Sequence, residues 1–378
     1  MTNDYLTEQA KINWPVTLVL GLTFLAAVSI VPWYGFVYGF SGWAWAFFAI
    51  FLIASGIGIG SGYHRLWSHR AYEANWVMRL YLAIVGGMAL QNSILVWCIR
   101  HRFHHRDVDD NDKDPYSIGR GFWFAHIGWM LKDYESGKLD WSIVPDLERD
   151  PIVAWQHRYY WPLVLVTNVG LPLLLGWMVG DVWGVLLLAG VLRLVVSHHL
   201  TFFINSLAHM WGSRPYTDEN SARDNWFLAI VTYGEGYHNF HHLFQSDYRN
   251  GIRWWQYDIN KWFIATCAWL GMAKNLKRTP DFKIQRARLA MVFKRAQVKI
   301  ERSSANPRWR EMLEKEYAQF KETVNQWQQL QMDRMQQGRQ KLADAIDHSA
   351  LTARYRELER ELKMQRKRVV MLTAQFVG

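Results

Sequence analysis

The chain has 378 residues, half of them hydrophobic, with 22 Trp, 19 Phe and 17 Tyr, a length that admits one large domain or two ordinary ones and an aromatic load that suits a membrane interface. Its two cysteines, Cys98 and Cys267, exclude a disulfide framework or a cysteine-based metal site as the organising principle and are compatible with a reducing compartment. The formal charge of +10 is uneven: from Asp281 to Gly378, 21 Lys and Arg face 12 Asp and Glu. No zinc finger or other nucleic-acid module accompanies that basic tail, which directs it toward anionic lipid or an acidic protein and away from nucleic acid.

The first ten residues, MTNDYLTEQA, carry no basic region, and the apolar stretch behind them is too long for a cleaved secretory signal. Residues 1–13 therefore read as a short cytosolic lead. Trp14 to about Gly35 and Trp43 to Gly62 each reach the roughly 20 residues needed to cross a bilayer, and they predict a helical hairpin. Its link, YGFVYGFSG, has no Lys or Arg, whereas His64, Arg65, His69 and Arg70 follow the second stretch directly. By the positive-inside rule the amino terminus and the histidine region are cytosolic.

Trp76 to Trp97 is interrupted by Arg79, Gln91 and Asn92 and reads as an interfacial or buried helix. A fifth span would carry the later motifs to the opposite side from His64. Trp161 to Gly180 and Val182 to about Asn205, apolar apart from Arg193, predict a second hairpin whose turn at Asp181 again lacks Lys and Arg. The expected fold is thus all-α and integral to the membrane, with four transmembrane helices in two hairpins and both termini inside. Residues 14–280 form the membrane domain. From Asp281 to Gly378 a basic helical extension follows, in which Leu313, Tyr317, Phe320, Val324 and Trp327 make a heptad-like stripe of the kind found in coiled coils. The stripe fades near Gly338 and resumes through Leu351, Tyr355, Leu358 and Leu362, with Asn306-Pro307 the clearest break between helices.

Nine of the 14 histidines fall into clusters with metal-ligand spacing. His64 and His69 follow the second span; His101, His104 and His105 form one compact motif, His238, His241 and His242 another, and His209 stands alone after the fourth span. In a helix, positions i, i+3 and i+4 share a face, so the second and third motifs each aim their imidazoles at a common point. His64 and His69 would lie about 140° apart on a regular α-helix and converge only if the helix bends or ends near them. Nine convergent imidazoles exceed what one ion can use, so two ions are implied. Histidine alone does not exclude zinc, but zinc has no redox chemistry, and a histidine shell without nearby cysteines suits iron and oxygen. His126, His157, His198, His199 and His348, taken singly, read as ordinary hydrogen-bonded side chains.

The motifs HRLWSH, HRFHH and HNFHH, in this order and separated by apolar spans, resemble the three histidine boxes of the integral-membrane acyl-CoA desaturases of the stearoyl-CoA desaturase type. Asn205-Ser-Leu-Ala-His209 with Trp211-Gly-Ser-Arg-Pro-Tyr216, Gly234-Glu-Gly-Tyr-His238, Asp114-Pro115 and the segment Gly121 to Trp129 are similar to the same family, over roughly Trp43 to Gly271. The resemblance implies that His64, His69, His101, His104, His105, His209, His238, His241 and His242 ligate two irons and that Asn205 acts through a water. It also implies a cis double bond, delta-9 by family type, made in a saturated acyl chain with O2 as co-substrate and two external electrons.

With no dinucleotide fingerprint, flavin motif or His-Pro-Gly-Gly segment in the sequence, those electrons are expected from a separate donor of ferredoxin, cytochrome b5 or reductase type. Trp97, Phe122, Trp123, Phe124, Trp129 and Trp226 are candidate lining for an acyl tunnel, and Arg100, Arg102, Arg120 and Arg223 are candidate contacts for an anionic head group. The basic extension leaves the substrate open between acyl-CoA and a phospholipid-linked chain; lipid binding, dimerisation, donor docking and a solvated appendage are its possible roles. A di-iron lipid hydroxylase is the rival within enzymes, separated by oxygen appearing in the product. A metal transporter predicts ligands along a path deep in the spans, and a membrane adaptor predicts no turnover.

Overall fold

The computed structural model describes residues 10–302, 307–340 and 347–374. Four helices are long and apolar enough to cross a membrane: Trp14–Val37, Gly42–Ser68, Tyr160–Val179 and Val182–Met210. The protein is therefore a membrane protein with four helices of spanning length, as the apolar stretches predict. Each pair is closed by a tight turn. At the second turn Gly180 adopts the left-handed conformation (φ 73°) that ends a helix at little cost in glycine, and Asp181 caps the next helix by accepting from Gly184 N at 2.9 Å. The other Asp181 oxygen accepts from Ser41 N at 3.2 Å, which joins the two turns. Apolar side chains such as Leu22, Leu25 and Phe36 on the first span are exposed, the inverse of a water-soluble helix and the pattern expected of a lipid-facing one.

The stretch read as interfacial or buried divides in two. Trp76–Met88 is a 13-residue helix, about 20 Å long and so too short to cross, with Met78, Leu82, Ala83 and Val85 buried. It packs closely on the second span, since a Cβ on Gly58 would lie 2.3 Å from Gly86 N. After a break, Ile94–Arg106 forms a second helix that carries the HRFHH motif. Only two short strands occur among the described residues, Glu73–Ala74 and Ala273–Lys274, paired antiparallel.

The contacts divide the chain into two compact units, residues Met1–Arg214 with Asn220–Arg278, and Pro215–Glu219 with Thr279–Gly378. In the second, the helices Asp281–Arg302, Pro307–Gln340 and Asp347–Ala374 share one apolar core. The predicted stripe enters it: Leu313, Phe320 and Trp327 are buried, and Val324 packs against them. Trp327 stacks on Phe282 with centroids 4.4 Å apart, while Tyr317 stays partly exposed with its ring against Phe293. Leu358 and Leu362 are sealed in the same core. The stripe thus packs on helices of its own chain. Asn306 and the side chains of Leu351 and His348 lie outside the described residues.

Candidate metal centre

The first box shows how winding brings distant positions together. The second span begins as an α-helix, Gly42–Ile57, and continues as a π-helix, Gly58–Ser68. In π winding the i→i+5 hydrogen bond replaces i→i+4, and His69 N donates to His64 O at 3.0 Å. Residues five apart then share a face, and the His64 and His69 rings sit 4.8 Å apart. The bend or termination expected from the spacing is realised as this change of winding. Small residues permit it, for a Cβ on Gly60 would meet Asn260 at 2.2 Å.

His101, His104 and His105 project from one side of Ile94–Arg106, and His238, His241 and His242 from the short helix His238–Leu243. His209 lies in the final turn after the fourth span breaks at Ser206. The nine rings form two groups: His64, His69, His101, His105 and His241, and His104, His209, His238 and His242. Within each, one ring nitrogen per residue lies within 4.8 Å of all the others. The groups adjoin, with His105 stacked on His242 at 4.3 Å.

The ring nitrogens separate into two sets with different partners. Outward-facing Nδ1 atoms meet polar groups: His64 Nδ1 lies 3.1 Å from Glu235, His104 Nδ1 2.9 Å from Asp114, and His209 Nδ1 2.7 Å from Ser221 Oγ. Ser221 Oγ donates in turn to Asp109, so it accepts from His209. These acceptors hold the proton on Nδ1 of His64, His104 and His209 and leave Nε2 of those three bare, the arrangement that second-sphere carboxylates impose on metal-binding histidines, whereas His238 Nδ1 and His241 Nδ1 are buried without a partner among the described residues. The Nε2 atoms face one another: His64 and His241 at 2.9 Å, His69 and His101 at 2.8 Å, His105 and His241 at 3.0 Å, His209 and His238 at 3.1 Å, and His238 and His242 at 3.1 Å.

Where two such nitrogens both present lone pairs they repel unless a proton or a cation lies between them. Two ligands of one ion at metal–imidazole distances of about 2.1 Å can lie no more than about 4 Å apart, and the donors fall into two compact groups, so the donor set fits two metal ions. Burial first, and then neighbouring histidines, push His69, His101, His105, His241 and His242 well below the usual histidine range and His238 to about 3. Those six rings are thereby held in the neutral form, in which imidazole binds metal.

Glu235 is the residue that the sequence reading missed. It accepts from His64 on one side and from Arg65 Nη2 at 2.8 Å on the other, and Arg65 also reaches Asp258 at 2.9 Å. Burial alone would raise the Glu235 carboxyl, yet Arg65 and His64 hold it well below the usual carboxylate range. Glu235 stands three residues before His238 in sequence but serves a histidine of the first box. Asp109 and Asp114 belong to an acidic run directly after the second box, and that run was the available signal for them.

Asn205 ends the helix Arg193–Asn205 and lines a cavity of about 200 Å³ with His64, His101, His104 and His238. Trp97, Trp129 and Arg100 line it as well, with Trp97 stacked on His101 at 4.7 Å. Phe122, Trp123, Phe124 and Trp226 do not; Trp123 and Trp226 are among the most exposed side chains. Arg102 is engaged by both oxygens of Asp146, Arg120 packs over the Phe124 and Tyr134 rings, and Arg223 donates to Gly212 O. His126 pairs with His199 at 3.0 Å, His157 with Ser93, and His198 with Ala89 O, all apart from the two groups.

The model of the family described as fatty acid desaturase matches residues 41–273, more than half of the chain. Among similar proteins, a probable acyl-CoA desaturase of Schizosaccharomyces pombe is 47% identical over 241 residues, which are 64% of this chain and 50% of that protein. Acyl-CoA desaturase 1 of Saccharomyces cerevisiae is 38% identical over 305 residues, 79% of this chain and 57% of that protein. The sn-2 palmitoyl-lipid 9-desaturase of a Nostoc species is 34% identical over 278 residues, 71% of this chain and 92% of that protein. The chain thus spans about half the length of these two yeast relatives. On this match and on the two histidine groups it carries, the chain belongs to the fatty acid desaturase family.

Proposed function

We propose that the protein is a membrane acyl desaturase that makes a cis double bond between C9 and C10 of a saturated acyl chain. The nine histidines would hold two irons, one by each group, and Asn205, which lines the cavity with histidines of both groups, would act through a water. The observation that carries this reading is the convergence of Nε2 atoms beside an apolar cavity. The overall reaction takes O2, two hydrogens from adjacent methylenes, two external electrons and two protons to a double bond and two waters. Iron supplies the oxidising power that an unactivated methylene demands and that no side chain has.

The remaining work belongs to the chain's own residues. Glu235, Asp114 and the Ser221–Asp109 pair hold protons on Nδ1 of His64, His104 and His209 and keep the Nε2 of these three directed inward. Trp97 and Trp129 form apolar wall against which methylenes are held in a fixed position. Gln91 Nε2 donates to Thr201 Oγ1 at 3.0 Å, tying the helix break to the fourth span at the cavity. Arg100 meets the anionic carrier of the acyl chain: it lines the cavity, stacks over Trp129, and its buried Nε has no partner among the described residues.

The centre and both termini face the cytosol, a reading supported by two interhelical turns without Lys or Arg. Residues 14–280 are the catalytic domain, and residues 281–378 are an accessory extension. Electrons arrive from a separate donor protein. The carrier is coenzyme A, as in the names of the yeast relatives; the Nostoc relative's name favours a glycerolipid instead. Expression in a host without its own desaturase tests the whole reading. Cis-9 monounsaturated chains are expected, made from labelled acyl-CoA before label enters phospholipid. Hydroxylated chains without unsaturation would support the hydroxylase rival, and label desaturated only after esterification would support the lipid-linked substrate.

A further inference from the structure

The end of the helix Trp76–Met88 is secured by residues far away in sequence. A helix leaves its last carbonyls without intrahelical partners, and next to lipid each of them must find one. Ala89 N and Leu90 N return to Gly86 O and Gly87 O, both at 3.1 Å. The next two carbonyls are met from the fourth span, where Arg193 Nη1 donates to Met88 O at 3.0 Å and His198 Nε2 to Ala89 O at 2.9 Å.

Arg193 is fully buried. Its other bonds go to neutral acceptors, Ala189 O at 2.9 Å, Asn168 Oδ1 at 2.6 Å and Ser55 Oγ at 3.5 Å, and no carboxylate pairs with it among the described residues. A cation kept at membrane depth without a counter-charge is costly and marks a functional requirement.

The backbone beyond these carbonyls is strained. Leu90 (φ 52°) and Asn92 (φ 73°) both occupy the left-handed region, which non-glycine residues hold only where the surroundings over-determine them. Here they do: Asn92 N donates to the Tyr160 hydroxyl at 2.9 Å and Ile94 N to Gln156 Oε1 at 3.0 Å. Leu90, Gln91 and Asn92 all line the cavity, and the helix launched by this break carries Trp97 and His101.

We infer that Arg193 and His198 are positioning residues for desaturation. By clamping Met88 O and Ala89 O they fix the strained break, and through it the register of the acyl chain against the histidine centre. Arg193 stands outside the cavity lining, whereas His198 also lines the cavity. The inference rests on the desaturase reading above.

The test is double-bond position, measured by mass spectrometry on lipids from a host without its own desaturase that expresses the full chain, Arg193→Gln or His198→Phe. The parent chain gives one dominant positional isomer. Each variant raises the share of displaced isomers on the order of tenfold, since ångström shifts of a reacting group are strongly felt. Arg193→Lys, which keeps a donor for Met88 O, falls in between. Should Arg193→Gln fail to accumulate, Arg193→Lys decides in its place, because His198 itself lines the cavity. Reduced yield with the parental isomer distribution marks plain structural support and overturns the inference. A parent chain that makes no unsaturated product overturns the desaturase reading, and this inference with it.

Discussion

In the C-terminal unit, Phe282 lies flat on Trp327, and Leu358 and Leu362 are sealed from solvent by the faces of three helices. At the histidine centre the buried groups are instead polar: Arg65, Glu235, Asp114 and Asp258 are as hidden as any leucine. The first region rests on apolar area, which is forgiving of exact geometry. The second rests on directed bonds, each of which must be made or its partner is left stranded. Function follows the second kind, because only directed bonds determine which nitrogen of an imidazole is free.

This contrast ranks the expected effects of mutation. His104→Ala and His241→Ala, one from each group, should abolish unsaturated product and lower the metal content of the purified chain; product retained by either would break the ligand assignment. Glu235→Gln keeps the shape but removes the charge that orients His64, and should weaken metal binding about 10–100-fold. Chelator titration followed by metal analysis measures this, and unchanged affinity would show that the tautomer is set elsewhere. In the other region, Leu362→Ala should cost about 2–5 kcal/mol in denaturant unfolding of the C-terminal helices while metal content stays at the parental value. The smallest effect belongs to Arg368→Met, which loses the partly exposed pair with Glu316 and should cost no more than about 1 kcal/mol. A larger loss there would mean that this region too relies on directed bonds.

The spans, the three boxes and the apolar stripe were legible because each is a local pattern: twenty apolar residues, histidines at i, i+3 and i+4, hydrophobics four and three apart. The union of His64 with His69 was not, because π winding depends on Gly58 and Gly60 meeting Gly86 and Asn260, contacts between separate elements. Glu235 was hidden for the same reason, since its nearest histidine in sequence is not the one it holds. Phe122, Trp123, Phe124 and Trp226 misled in the opposite sense. They lie near the boxes in sequence, yet the helices turn Trp123 and Trp226 outward. The strain at Leu90 leaves no trace in composition, since leucine does not announce a left-handed backbone, whereas Asn92 is of a type that adopts one more readily.

The most direct measurement is metal analysis of the purified full-length chain, combined with spectroscopy that distinguishes a coupled iron pair from isolated ions. Two irons per chain, with the iron of the first group lost in Glu235→Gln under chelation conditions that spare the parent, is the expected result. A single ion, or zinc at full occupancy in a chain that still desaturates, would contradict the account.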